Sequence, residues 1–320
     1  MLATITCLLL PLQWGGNKYA WSDGVIIGTF VAFGVLVVIF TIVEWKFAGP
    51  TSILPLRYLK NRSQVGACLE AFFIMFTMLV GIYYLPIFFQ ATKGVTATKS
   101  GIDILAFMLS VVVGAGLGGA LISQFGYYWP FLVGGPVFIC IGSGLLYTVR
   151  ADSSSATLIG YQILLGLGVG TVMQNTLIAV QADCDDERDI PQKTGLVTFT
   201  QLVGGTIGIA IASTIFYNRL YSALDEFAPG APVIVRSSVS AIKDIAPEFQ
   251  PGVKQAYVAA LNNVFIVSLH LILSLLPRAQ LTLLLTPSQI GVAAGGLASL
   301  SGLLVRNLSV KGKDLMAGGA

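Results

Sequence analysis

Three groups of residues invite a chemical reading. Gly114, Gly116 and Gly119 spell GxGxxG, the spacing that lets a backbone approach a dinucleotide pyrophosphate. Asp183, Asp185, Asp186, Glu187 and Asp189 crowd one short stretch, as the oxygens of a calcium loop would. Glu70 is a lone acid inside an apolar run. A charge at the centre of a membrane helix costs roughly 2.5–3.5 kcal/mol, so one that is kept there usually serves proton or ion traffic. Each group has a competing reading. No strand precedes the glycines, which then read as points of close helix–helix approach. The acids lack the loop glycine and the terminal bidentate glutamate, and read as a solvated turn. Glu70 lies one turn into its run, where an interfacial carboxylate reaching for water competes evenly with a proton carrier.

Uncharged amides form a second set. Gln162, Gln174, Asn175 and Gln201 lie within apolar runs. They either bond between helices, for about 0.6 kcal/mol each, or orient a polar group of a ligand. Gln174 and Asn175 are adjacent, about 100° apart on a helix, so they cannot share a face. Phe72, Phe76 and Tyr83 fall on one stripe at i, i+4 and i+11, which either packs or lines an apolar cavity. The expected cavity residues are therefore Phe76, Tyr83, Gln174, Asn175 and Gln201, with Glu70 the proton-carrier candidate. Gly114/Gly118, Gly166/Gly170 and Gly204/Gly208 repeat at four positions and are expected to pack helices. No nucleophile–base constellation exists, so neither an enzymatic centre nor a metal or cofactor site is expected. The only histidine is His270, and the four cysteines (Cys7, Cys68, Cys140, Cys184) form no CxxC pair. They are expected as free thiols.

The elements that must position these residues follow from composition. Of 320 residues, 55% are hydrophobic and 10% charged, against roughly 25% charged in a soluble domain. The net charge of +3 is scattered, with no basic patch for nucleic acid. The expected fold is an all-α polytopic membrane protein. Spans are expected at 24–44, 66–90, 102–125, 129–149, 156–181 and 195–217, with a split region over 256–305. Residues 2–12 reach only ~17 Å at 1.5 Å per residue, too short to span a ~30 Å core. They also lack the basic start and cleavage site of a signal peptide. Asp103 is expected to cap the helix it opens. The loop 45–63, with Lys46, Arg57, Lys60 and Arg62, is the most basic short loop and is placed in the cytosol. The turn at Gly126 and the loop 182–194 then face in, and 91–101, 150–155 and 218–255 face out.

Several blocks together closely resemble the fungal fourteen-helix drug:proton antiporters and toxin-efflux pumps of the major facilitator superfamily. They are LQWGGNKYAWSD (12–23), LRYLKNRSQVG (56–66), YYLPIFFQ (83–90), GYQILLGLGVGTVMQNTLIAVQ (160–181) and FTQLVGGTIGIAIA (199–212). The resemblance covers about residues 2–267 and 291–313. It implies the second six-helix bundle of that fold plus central linker helices. Residues 1–63 would hold a shortened helix, a linker helix and the basic loop. Residues 64–217 would hold five bundle helices, 218–255 a long outer loop, 256–305 the final helix and 306–320 a cytosolic tail. It further implies a lipid bilayer, most simply the plasma membrane, and a proton gradient as energy source. The substrate would be small and apolar or amphipathic, and an amino-terminal six-helix bundle would be the missing partner. Gly119, Leu121 and Gly126 keep the glycines and leucine of the superfamily's cytosolic loop signature. Ser123 stands for its acid, and Tyr127 and Tyr128 for its basic pair, which removes the charge relay. The competing readings are a non-transporting membrane fragment and a half-transporter that dimerises.

Residues 268–290 (SLHLILSLLPRAQLTLLLTPSQI) fall outside the resemblance. Joining Val267 to Gly291 restores one continuous last helix and places Arg306, Lys311 and Lys313 in the cytosol, as the positive-inside rule prefers. Val-Ser and Ser-Gln at the ends of the segment can encode GT and CAG splice boundaries, so a retained intron or a gene-model error is expected there. A genuine extra helix pair turning at Pro277–Arg278 is the alternative. The sequons at Asn61 and Asn307 report on this topology: both lie in the cytosol without the insert.

Overall fold

A computed structural model describes residues 2–15, 19–46, 56–184 and 186–273, together with Val305. Among the described residues there is no β-strand; the chain is a series of helices. Two come first, α1 (Leu2–Trp14) and α2 (Gly24–Lys46). A 3-10 turn, Leu56–Lys60, leads into α3 (Arg62–Lys93), then α4 (Ala97–Asp103), α5 (Leu105–Phe125), α6 (Trp129–Tyr147) and α7 (Ser155–Ala182). After a second 3-10 turn at Glu187–Asp189 come α8 (Ile190–Phe227) and α9 (Gln250–Leu273). Six helical segments are long and apolar enough to cross a membrane: α2, α4–α5 taken together, α3, α6, α7 and α8 with its leading turn.

The bundle is built from α3 and α5–α9. Its main contacts are α5 on α7, α3 on α8, α6 on α7 and α8 on α9. Phe107, Leu132, Leu158, Leu165, Val169 and Leu220 are fully enclosed in it. The α1–α2 hairpin stands apart. Its second helix is apolar on every side and packs chiefly on α1, while α1 touches α8, where the Thr214 hydroxyl donates to the Leu12 carbonyl. A helix with no polar face and little protein cover is suited to lipid.

Local sequence explains most helix ends. Asn61 caps α3 by accepting from the Ser63 N–H (2.9 Å), and Gly94 ends it in the left-handed conformation (φ 61°). Ser154 caps α7 by accepting from the Thr157 N–H. Asp103 does not act as a cap. Thr96 caps α4, α5 starts without a side-chain cap, and Asp103 closes α4 by pairing with Lys99 at 2.8 Å. Lys99 lies one turn before it, so the i, i+4 ion pair draws the carboxylate away from the free N–H groups of α5.

Helix α8 runs to Phe227, ten residues beyond the expected 217, because NRLYSALDEF keeps a helical period after hydropathy fades. Leu220, Ala223 and Leu224 stay buried while Asp225 and Glu226 face out. The outer loop is correspondingly shorter and is no free loop. Two 3-10 turns, Val233–Arg236 and Val239–Lys243, fold it over the bundle. Val235, Ala241, Ile242 and Ile245 enter the core, and Tyr257 of α9 donates to the Val235 carbonyl at 2.7 Å. Helix α9 begins at Gln250 and continues without a break past Val267 to Leu273. The rest of the suspected insert, 274–290, lies outside the described residues.

Candidate functional site

Glycine seams hold the functional helices in register. A Cβ on Gly114 would meet the Leu167 carbonyl oxygen at 2.6 Å, and one on Gly166 the Phe107 carbonyl at the same distance. Gly118 faces Thr171 and Asn175, and Gly170 lies against Val111, so α5 and α7 interlock over their length. Gly204 and Gly208 of α8 press on Phe72 and Phe76 of α3. Three further glycines make a third seam that spacing by four does not reveal. Gly135 and Gly142 of α6 lie two turns apart against Val172 and Leu165, and Gly168 of α7 meets Ile139.

These seams fix the height of each polar residue. Because Phe72 opposes Gly204 and Phe76 opposes Gly208, α3 and α8 run parallel, and the same offset brings Gln201 level with Leu69 and Glu70. Helix α7 runs against α3, and the Gly81–Leu165 contact sets its register. Continued along both helices, it brings Thr176 level with Glu70, with Gln174 and Asn175 beside it. Glu70, Gln174, Asn175 and Gln201 therefore form one belt across three helices. At 1.5 Å per residue the belt lies about 12 Å from the start of α3 and about 9 Å from the end of α7. It sits toward the end of the bundle at which α3 and α8 begin, rather than at the middle of the helices.

Within the belt the side chains differ in surroundings. Glu70 and Asn175 are wholly buried. Neither the Glu70 carboxyl oxygens nor the Asn175 amide atoms have a hydrogen-bond partner among the described residues. Thr176 returns its hydroxyl to the Val172 carbonyl at 2.9 Å, and Gln201 is 7% exposed on the α3-facing side of α8. Gln174 is half-buried. Gln162, wholly buried and also without a partner, lies higher, level with Tyr84 on α3. The expected aromatic stripe is split. Phe76 is enclosed at the Gly208 contact, whereas Tyr83 is 55% exposed on the bundle surface. Helix α8 still lies on α3 at that level, where the Tyr84 and Phe216 rings are 5.4 Å apart, and Tyr83 is on the side it leaves uncovered. Phe76 thus faces a helix, not an open cavity.

The end of the bundle where α3 begins holds a cluster that sequence reading missed. The turn before α3 is clasped to the α7–α8 connection. Asn61 donates to the Asp183 carboxylate (2.6 Å), and Arg57 pairs with Asp189 (3.3 Å) and donates to Gln192 (2.9 Å). Tyr58 donates to Gln192 (3.0 Å), Gln64 to the Lys193 carbonyl (3.1 Å) and Lys193 to the Asp183 carbonyl (3.0 Å). Two of the acids readable as a calcium loop, Asp183 and Asp189, are thus engaged by side chains from the turn before α3, while Glu187 is exposed. Asp186 caps its own turn through the Arg188 N–H (2.9 Å), and Asp185 lies outside the described residues. Burial, then the Asp189 hydrogen bond, push the Tyr58 phenol above its usual 10, against a smaller opposing effect of Arg57. Burial likewise raises the Cys184 thiol, opposed by Lys193.

At the α5–α6 turn, Gly126 adopts φ 79° and donates to the Ile122 carbonyl at 2.7 Å, a left-handed helix end that glycine favours. Gly119 has open space at its Cβ position and Leu121 is half-buried. Ser123 and Tyr127 are exposed, but Tyr128 is wholly buried, a core anchor rather than a polar relay.

The family comes from the relatives. No family model matches the sequence. The MFS-type transporter astH of Aspergillus oryzae is 40% identical over 281 residues, which is 87% of this chain and 50% of that protein. The efflux pump roqT of Penicillium rubens is 39% identical over 273 residues, 84% and 50% of the two chains. The MFS-type transporter pigP of Monascus ruber is 39% identical over 260 residues, 80% and 45%. This chain is a homologue of fungal major facilitator superfamily (MFS) transporters. It spans about half the length of the curated relatives it matches. As a major facilitator relative with six membrane-competent helices, it is an integral membrane protein.

Proposed function

We propose that this chain forms the carboxy-terminal half of a proton-coupled efflux transporter for small apolar or amphipathic compounds, such as drugs, toxins or secondary metabolites. The observation that carries this reading is the belt. A carboxyl and an amide enclosed in an apolar bundle without partners cost several kcal/mol unless they serve a ligand or a proton. Glu70 carries the proton. Asn175 and Gln201 reorganise around it, and Gln174 and Tyr83, which are accessible, contact the substrate. The second wall of the cavity is an amino-terminal six-helix bundle, since such transporters bind between two pseudo-symmetric halves. Phe76 acts indirectly, by holding α3 against α8. The names of the relatives, transporters and efflux pumps, support this reading.

The test is expression in a yeast strain lacking its own efflux pumps, alone and together with the amino-terminal half of a relative. The chain alone should not export a fluorescent apolar dye. The paired halves should export it, and a protonophore should abolish export. Export by the chain alone, or export indifferent to the protonophore, contradicts the proposal. Absence of export from paired halves that are shown to assemble favours a non-transporting membrane protein.

A further inference from the structure

The cluster at the start of α3 leaves cations unspent. Arg57, Tyr58, Lys60, Asn61, Arg62, Asp189 and Lys193 line one open pocket of about 580 Å³. Asp189 is held by Arg57. Lys60, Arg62 and Lys193 form no ion pair within 4.0 Å among the described residues. Lys193 is the telling one, because it is only 7% exposed. Its ammonium donates to the Asp183 carbonyl and lies 5.7 Å from the Tyr58 ring. A buried ammonium normally has a carboxylate or another anion beside it. The pocket also opens at the N-terminus of α3, a 32-residue helix whose dipole favours an anion.

Position selects the kind of anion. Helix α3 is about 48 Å long at 1.5 Å per residue. A bilayer measures ~40–45 Å with its headgroups. The first turn of α3, and Arg62 with it, therefore reaches the headgroup layer. On the basic-loop orientation that layer is the cytosolic one, which carries the anionic lipids. We propose that this pocket binds a phosphate ester, with Lys60 and Arg62 gripping it from the rim and Lys193 completing it from below. An acidic phospholipid headgroup presents that chemistry, and so does a soluble phosphate ester.

The test uses the full chain in nanodiscs, with thermal unfolding as the readout. Neutral phosphatidylcholine discs are compared with discs containing phosphatidylserine or a phosphatidylinositol phosphate, and with neutral discs given free inositol phosphate. The double variant Lys60→Gln/Arg62→Gln changes only exposed side chains. Lys243→Gln/Lys254→Gln, at the other end of the bundle, is the control. Stabilisation in anionic discs alone assigns the pocket to lipid, and stabilisation by free inositol phosphate assigns it to a soluble ester. Either supports the proposal when the rim variant weakens the half-effective concentration by roughly thirtyfold, about fivefold per charge, and the control does not. Equal stability in all conditions, or equal loss in rim and control variants, overturns it.

Discussion

The cluster at the start of α3 and the belt about 12 Å beyond it use the same residue types in opposite ways. In the cluster the carboxylates Asp183 and Asp189 are joined, to Asn61 and Arg57, and the amides are engaged too, Gln192 by Arg57 and Gln64 through its N–H on the Lys193 carbonyl, although the Gln64 Oε1 has no partner among the described residues. In the belt, Glu70 and Asn175 are more deeply enclosed and meet no partner among the described residues. Polar groups kept for stability are satisfied, and those left unsatisfied in an apolar bundle weaken it. On the proposed function, the difference separates a structural clasp from a working site. It also explains the seams, since only close helix contact keeps orphaned groups away from lipid.

The comparison can be broken at its support. Gly170→Leu would drive a side chain into the Val111 backbone on α5. It should cost about 3 kcal/mol or more and leave little folded protein, read by size-exclusion of the detergent-solubilised chain. Gly24→Leu, where nothing lies near the Cβ position, should be tolerated. Next comes the clasp. Asn61→Ala removes the α3 cap and the bond to Asp183 together, and should cost about 2–3 kcal/mol in denaturant unfolding. The belt should behave in the contrary manner. Asn175→Leu should change stability by less than ~1 kcal/mol, or raise it, because no protein bond is lost. If Asn175→Leu destabilises more than Asn61→Ala, the division between clasp and working site fails. The smallest effect is on pH dependence. A phenol whose folded value lies above its unfolded value of about 10 contributes stability that is whole below pH 10 and is lost as pH rises through the folded value. Tyr58→Phe, which cannot ionise, should flatten the alkaline limb of the stability profile relative to wild type.

The helical class and the spans were legible because long apolar runs with few charges have one solution in lipid. Glycines four apart, as in Gly166/Gly170, fall at close contacts for a reason readable in one helix, since that spacing clears a single face. Gly135 and Gly142 escaped notice because they lie two turns apart. What could not be read was anything set between helices. That Glu70, Asn175 and Gln201 lie at one level depends on the register of three helices. The clasp joins residues near 60 to residues near 190 through ordinary polar side chains with no local motif. The end of α8 was misplaced for another reason: hydropathy reports where lipid stops, whereas Leu220 and Leu224 show the helix continuing against protein.

The most direct test of the central claim is the proton flux that accompanies dye export in vesicles holding this chain together with the amino-terminal half of a relative. Wild type and Glu70→Gln should be compared at matched thermal stability. The belt account predicts that Glu70→Gln folds as well as wild type or better and loses substrate-driven proton movement. A Glu70→Gln protein that still couples export to protons would contradict it.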